Sequence, residues 1–475
     1  MDRDDVDTRP AAPRAAVQAH DPVPAMRGDV RNRTRTPQNL SIWAIAWPTM
    51  IATLMQTVVR WADVKMVGDL GMTAVAGVTA GGQIYWFIQA VAMALSVGLT
   101  ALCARAVGAG DMDKADKILK QAIIMAFFFG LFTWLAAIPI LAPAIAILGL
   151  EQEVVDIGAS YLFWIFAGNV PFTLAFVFGS AMRAAGDAIT PLWTGLIANA
   201  LNIFLNWVLI YGNLGAPKLG VDGAGIATSI AMVVQVVLFW AVWGRGIGIL
   251  KPQGNPFKID FALWKRIMRI GYPAGIEGAM FHVGLMAFMG LMTLYGTEAF
   301  TAYQIGVQVL TLAFLPGQGF SIAASTLVGQ HLGAENPDEA AKAGWRANLL
   351  SIGFMALFGV ILILTAEPIA RWFLDDDRVV PLAVTFVIIL GLAQPLMAID
   401  FALGGALRGA GDTRFPMVAI FTGLFVCRLV PGALIAYVFD GGLTMLWSVL
   451  FLDYTARAIL LSLRFKRGKW RTMEI

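Results

Sequence analysis

Long stretches without a single Asp, Glu, Lys or Arg dominate the chain, at 73–104, 121–150, 157–182, 188–217, 223–244, 278–297, 299–334, 347–366 and 379–399, separated by short polar joints. A helix needs about 20 residues to cross a hydrocarbon core, and nearly all of these runs exceed that. Three further runs, near 40–67, 415–439 and 443–463, carry one or two internal charges. The pattern predicts an all-α membrane protein of twelve transmembrane helices. A closed barrel is excluded because the runs are continuously apolar and show no period-two alternation.

Composition agrees with this reading. Of 475 residues, 58% are hydrophobic and only 14% charged, which no soluble globule of this length requires. Two cysteines, Cys103 and Cys427, both in apolar runs, cannot build a disulfide framework. Three scattered histidines (His20, His282, His331) give no metal-ligand cluster. No nucleophile with its base appears, and the Gly-rich segment around 220–225 lacks the setting of a nucleotide fingerprint, so neither an enzyme nor an ATP site is expected. No cofactor or nucleic-acid partner is implied.

The net charge of +3 is small, but most of the 34 basic residues fall in the N-terminal tail, the joints after spans 2, 4, 6, 8 and 10, and the C-terminal tail. Basic residues stay preferentially on the cytoplasmic side, so both termini are expected there, in an inner or plasma membrane. The opposite side carries Glu151, Glu153 and Asp156 after span 3 and Asp375, Asp376 and Asp377 after span 9. Residues 1–38 mix Pro, Arg and Asp without apolar periodicity and read as a disordered tail.

A shift of 225 residues superimposes unusual features: Pro48 on Pro273, Gly71-x-x-Ala74 on Gly296-x-x-Ala299, Gly108-Ala109 on Gly333-Ala334, and Ala115 on Ala340. Last comes Arg183-Ala-Ala-Gly186-Asp187-x-x-x-Pro191 on Arg408-Gly-Ala-Gly411-Asp412-x-x-x-Pro416. The chain therefore reads as two six-helix halves related by a pseudo-two-fold axis along the membrane normal. The expected division is a tail at 1–38, lobes at 39–246 and 260–466, a linker at 247–259 and a C-terminal tail at 467–475. Two rocking lobes with a cavity between them are the plan of a transporter.

These paired Arg-x-x-Gly-Asp-x-x-x-Pro segments, the Gly-Ala-x-x-x-x-x-Ala loops and the VGDLG sequence after span 1 resemble the multidrug and toxic compound extrusion (MATE) family, from about residue 40 to 465. The resemblance implies an antiporter exporting organic, often cationic and aromatic, compounds in exchange for Na+ or H+. A monomer is expected. The alternatives are a lipid-linked precursor flippase of a related two-lobed fold, which would want a strongly cationic cavity, and a passive channel.

A carboxylate inside a span costs several kcal/mol unless paired, hydrated or protonated. Asp63 lies about 9 Å inside Asp69 by helical rise, and Thr228 about 9 Å inside Asp222. Asn202 and Asn206 share one face of span 5, about 22 and 28 Å from Asp187. All four are at one depth, and their oxygens are hard ligands suited to Na+, while the carboxylate alone suffices for a proton. The resemblance points to the same four residues, which match the family's N-lobe cation or proton site, with Asn206 where many relatives carry Asp. The competing reading pairs Asp63 with Arg60 on the same face.

Glu277 and Asp400 lie about 12 Å from the cytoplasmic ends of spans 7 and 10, level with each other, and form a possible second protonation site or a helix–helix contact. Arg428 and Asp453 are expected to form a buried structural pair. Met280, Met286, Met289 and Met292 make a soft stripe on span 7, and His282 beside them is either inert or a relay to Glu277. Pro48 and Pro273 are candidate hinges. Arg183, Gly186, Asp187, Arg408, Gly411 and Asp412 are expected to fasten a cytoplasmic gate or cap helix ends.

Overall fold

The computed structural model describes residues 40–475 except 148 and 255–257, so the expected tail at 1–38 lies outside the described residues. The N-terminal half contains α1 (Ile42–Gly68), α2 (Met72–Gly108), α3 (Met112–Ala137), α4 (Leu141–Ala146), α5 (Gln152–Ala167), α6 (Asn169–Ala184), α7 (Ile189–Tyr211) and α8 (Val221–Gly244). The C-terminal half contains α9 (Phe261–Met292), α10 (Thr297–Gly333), α11 (Pro337–Leu364), α12 (Ala366–Phe373), α13 (Val380–Gly409), α14 (Arg414–Ile420), α15 (Val430–Tyr437) and α16 (Leu443–Lys466). A π-helical stretch, Phe421–Leu429, joins α14 to α15 into one span. Among the described residues ten helices are individually long and apolar enough to cross a membrane, and α5 and α6 pass together as a pair bent by 52°. The 37-residue α2 supplies the twelfth span.

The predicted spans are thus present, with two departures from uniform helices. The fourth span breaks at Gly168, where a Cβ would stand 2.3 Å from the Ser229 hydroxyl of α8, so that only glycine fits against that helix. That hydroxyl donates to the Trp164 carbonyl at 2.6 Å, which also accepts from the Gly168 N–H at 3.3 Å. Asn169 then accepts from Gln89 at 2.7 Å and donates to Thr133 at 2.5 Å, so polar contacts hold the bend from the other side. By contrast, Pro48 and Pro273 sit inside the uninterrupted α1 and α9. The second departure is the π stretch, whose structural reason lies in the charges behind it.

The 225-residue repeat is visible in local backbone. Gly71 and Gly296 begin α2 and α10 at φ of 115° and 89°, and Gly186 and Gly411 turn the loops after α6 and α13 at 93° and 91°. Only glycine adopts these angles without strain. Asp111 and Asn336, again 225 apart, cap α3 and α11 through the backbone N–H groups of Lys114 and Glu339.

The two lobes meet chiefly through α1 and α2 against α9 and α10, and the named close approaches lie toward the end that bears the basic joints. They obey exchange symmetry. A Cβ on Gly271 would meet the Ala94 carbonyl, and one on Gly319, the counterpart of Ala94, would meet the carbonyl of Ala46, the counterpart of Gly271. Gly108 lies against the Gln330 carbonyl, and its counterpart Gly333 lies against that of Arg105, the counterpart of Gln330. The same two residues latch the lobes: Arg105 donates to the Ala410 carbonyl at 2.9 Å and Gln330 to the Ala184 carbonyl at 2.8 Å. Each carbonyl is an orphan at the C-terminus of a helix in the opposite lobe. Toward the acidic end, Gly77, Gly81 and Gly306 pack instead against α5 and α13 of their own lobes. There, Trp61 of α1 and Trp372 of α12 bring their rings to 6.5 Å.

The linker is docked on α3. Gln121 donates to the Lys258 carbonyl at 2.6 Å and accepts from the Asp260 N–H at 3.0 Å and the Trp264 indole at 2.8 Å. Lys117 contacts Asp260 at 2.8 Å, and this partner, with the backbone of the α9 first turn, holds the Asp260 carboxyl below the usual range.

Because a Cβ at Gly108 would fall 1.9 Å from the Gln330 oxygen, Gly108→Leu must wedge the basic end apart. Spin labels at Lys114 and Lys342 should report a longer distance in that variant; an unchanged distance distribution would contradict the described packing.

Candidate functional site

In the N-terminal lobe, α1, α7 and α8 carry Asp63, Asn202, Asn206 and Thr228 to one place. The one-turn spacing of the two asparagines puts both on the buried face of α7, where an amide must find polar partners. Asn206 Nδ2 donates to Asp63 Oδ1 at 2.5 Å, and Asn202 Nδ2 lies 3.1 Å from Thr228 Oγ1. Rotating the Asn202 amide so that its nitrogen faces Asp63 Oδ1 at 3.2 Å leaves its oxygen accepting from the Thr228 N–H at 3.2 Å, which satisfies both ends. Thr228 Oγ1 also reaches the Ala224 carbonyl at 2.9 Å.

Asn206 Oδ1 remains buried without a hydrogen-bond partner beside the carboxylate. An unpaired amide oxygen next to a carboxylate is a ready pair of hard donors for a small cation, and the carboxylate by itself accepts a proton. The Arg60 guanidinium and the Tyr161 phenol of α5 both interact electrostatically with Asp63. Arg60 therefore neighbours the pocket, while the direct hydrogen-bonded partner described for the carboxylate is Asn206. Tyr161 was not legible from spacing, since no charge or polar pair marks its face of α5. The depth markers are themselves anchored, Asp69 by the Tyr211 hydroxyl at 2.6 Å and Asp222 by the Ser160 hydroxyl at 2.5 Å.

In the C-terminal lobe each membrane carboxylate meets an arginine. Glu277 pairs with Arg408 at 2.8 Å, and Arg408 also donates to Ser321 at 3.2 Å. Asp400 pairs with Arg457 at 3.3 Å, Arg457 with Asp453 at 2.6 Å, and Asp453 with Arg428 at 2.6 Å. Glu277 and Asp400 stand near enough for their charges to interact, yet arginines, not each other, are their contact partners. Arg428 and Asp453 form the expected buried pair, while Arg457, which links it to Asp400, was missed as one charge in an otherwise apolar run. The π stretch makes room for this chain: a Cβ on Gly423 would fall 2.2 Å from Asp453 Oδ1, and the widened turn delivers Arg428 to the same carboxylate. His282 engages the Gly278 carbonyl at 2.8 Å within its own helix. Of the methionine stripe, Met292 is buried and Met286 exposed, so the stripe does not form one wall.

The repeated loops lie at the basic end. Asp187 accepts from the Thr190 N–H at 2.9 Å and its hydroxyl at 2.6 Å, capping α7, whereas Asp412 pairs with Arg464 at 2.7 Å. Arg183 donates to Ser180 at 3.2 Å, and Ser180 shares a hydrogen bond with Ser96, the counterpart of Ser321. The carbonyls latched by Arg105 and Gln330 belong to these loops or the residue before them.

Comparison with known proteins now bears on this arrangement. The MatE family profile matches twice, over residues 48–208 and 273–434, one match per lobe and displaced by the same 225 residues at their starts. The chain belongs to the MATE family of transporters. It is 33% identical over 436 residues to a probable multidrug resistance protein NorM of Thermotoga maritima, covering 91% of this chain and 93% of that one. A second protein of that description, from Mesorhizobium japonicum, is 28% identical over 455 residues, covering 91% and 96%. Among solved structures, the outward-facing conformation of a multidrug resistance MATE family transporter of the MOP superfamily superimposes with a TM-score of 0.84 at 20% identity, over 91% of this chain and 97% of that one. This MATE protein is thus a multi-pass membrane protein of two six-helix bundles.

Removing one member of the C-lobe chain leaves buried charge uncompensated. Arg457→Met, which strips Asp453 and Asp400 of a common partner, should lower stability by about 3–5 kcal/mol, measured as thermal unfolding in detergent. A loss under about 1 kcal/mol would mean that water screens these groups.

Proposed function

We propose that the protein is a secondary antiporter of the inner or plasma membrane that exports organic compounds, cationic or amphipathic and aromatic, in exchange for H+ or Na+. The basic end faces the cytoplasm, with both termini there, as the distribution of Lys and Arg favours. The chain acts as a monomer, since the pocket and both lobes lie within it.

One observation carries the reading: a carboxylate held by Asn206 inside an otherwise apolar lobe, beside a buried amide oxygen that has no partner. Beside the electrostatic contribution of Arg60, such a group gains further from a proton or a cation, so its occupancy is tied to the arrangement of α1, α7 and α8 around it. Close packing of the lobes at the basic end fits a state that is closed toward that side. Ion loading at Asp63 from outside favours the conformation that releases cargo, and discharge inward resets the cycle. A tenfold shift between the two states asks for only about 1.4 kcal/mol of differential binding. Pro48 and Pro273, one at the inner part of each lobe's first helix, are proposed as the points about which those helices flex.

Glu277 and Asp400 are read as organising charges and not as a second proton site, because arginine partners already neutralise them. The family relatives described as multidrug resistance proteins support the choice of cargo class.

Asp63→Asn keeps the pocket's shape but removes its charge. Ethidium efflux from proteoliposomes driven by a pH or Na+ gradient should fall to the leak rate in this variant, while ethidium binding in detergent persists. Efflux at the wild-type rate would remove Asp63 from the mechanism.

A further inference from the structure

The repeat allows each member of the Asp63 pocket to be followed into the other lobe. Adding 225 takes Asp63 to Phe288, Asn202 to Cys427 and Asn206 to Pro431, while α8 and α16 are offset by 222 residues at both ends, which takes Thr228 to Leu450. Neither the carboxylate nor a carboxamide survives this transformation, and the acid nearest these positions is Asp453, one turn beyond Leu450 on α16. Between these counterparts lies a cation that belongs to the chain itself. Arg428, next to the Asn202 counterpart, stands 5.8 Å from the centre of the Phe288 ring and 2.6 Å from Asp453. Its side chain is 2% exposed and that of Asp453 0%, against 15% for Glu277 and 18% for Asp400.

We propose that Arg428 is a tethered cation that permanently fills the C-lobe counterpart of the ion pocket, leaving the N-lobe pocket as the one exchangeable site and setting the exchange at one monovalent ion per cycle. This rests on the Asp63 reading above and adds its stoichiometry. The charge balance of the C-terminal lobe agrees. The intramembrane acids Glu277, Asp400 and Asp453 are matched by Arg408, Arg457 and Arg428 through direct contacts, so no net negative charge is left there to attract a second ion. A guanidinium suits the role because it keeps its charge and packs over rings, and Arg428 has the Tyr454 ring at 5.4 Å as a second such partner. The π stretch, which widens the helix where Arg428 departs, is the backbone device that admits so large a resident cation.

Electrical measurement separates one ion from two. With ethidium, a monocation, as cargo, one-for-one exchange moves no net charge, whereas a two-ion cycle moves one. In proteoliposomes carrying the full chain, with the membrane potential clamped and the ion gradient fixed, the equilibrium ethidium ratio should stay constant within about twofold as potential is stepped. A wild-type ratio that moves about tenfold per 59 mV, the response of one transported charge, would overturn the inference. Arg428→Gln leaves the three acids with two arginines and should create that tenfold response, while Arg428→Lys, which keeps a tethered charge, should stay flat. A flat response in folded, transporting Arg428→Gln would also overturn it. Should that variant fail to fold, the wild-type slope and the lysine variant decide. Failure of the Asp63 reading shows differently, as ion-driven accumulation that persists in Asp63→Asn.

Discussion

The hydrogen bond from Asn206 to Asp63 is the contact on which the functional architecture turns. In water it would be worth little, because each group would exchange it for solvent at almost no loss. Inside a lobe built from apolar helices the alternatives are gone, and a carboxylate must have donors, a proton or a metal ion. Three helices are therefore committed to one small volume, α7 by its pair of asparagines, α8 by Thr228 and α1 by the acid itself. Whatever changes the state of that acid acts on all three, which is the differential interaction that an ion must have to bias a conformational equilibrium.

The two lobes share a backbone plan but divide the chemistry. Their glycine turns, helix caps and close inter-lobe contacts map onto one another by a single shift, including the reciprocal donors Arg105 and Gln330. Side chains at the membrane centre do not map. One lobe has a carboxylate among amides and hydroxyls with Arg60 as its charged neighbour, and the other has a chain of arginines and carboxylates around a π-helical turn. Arginine–carboxylate chains rarely add stability over apolar packing, so their retention here fits a role in fixing one arrangement of the C-terminal helices while the N-terminal pocket responds. The gate between lobes combines both aspects: its donors Arg105 and Gln330 are equivalent by the shift, one charged and one neutral, while their acceptors Ala410 and Ala184 depart from it by one residue.

Much of this was legible in the sequence because lipid imposes simple rules. Charge-free runs announced the spans, the constant offset announced the lobes, and helical rise placed Asp63, Asn202, Asn206 and Thr228 at one depth before their contact was visible. Less legible was anything that depends on which way a helix face turns. Glu277 and Asp400 were correctly levelled by rise but not supplied with partners, since rise carries no information on rotation about the axis, and Arg457 was hidden inside a run that already held Asp453. The bend at Gly168 and the π stretch at 421–429 each lie against side chains distant in sequence, Ser229 in the first case and the Asp453–Arg457 pair in the second. Prolines drew attention as breakers, yet α1 and α9 run through theirs, because a helix surrounded by neighbours tolerates one lost hydrogen bond.

The most direct test of the central claim is infrared difference spectroscopy of the reconstituted protein across the range of pH and Na+ that drives transport. A carboxyl band that vanishes in Asp63→Asn, and that responds to added proton or Na+ and again to ethidium, is the predicted result. If residue 63 contributes no band that changes with either ion while efflux proceeds, the pocket is structural and the account is wrong.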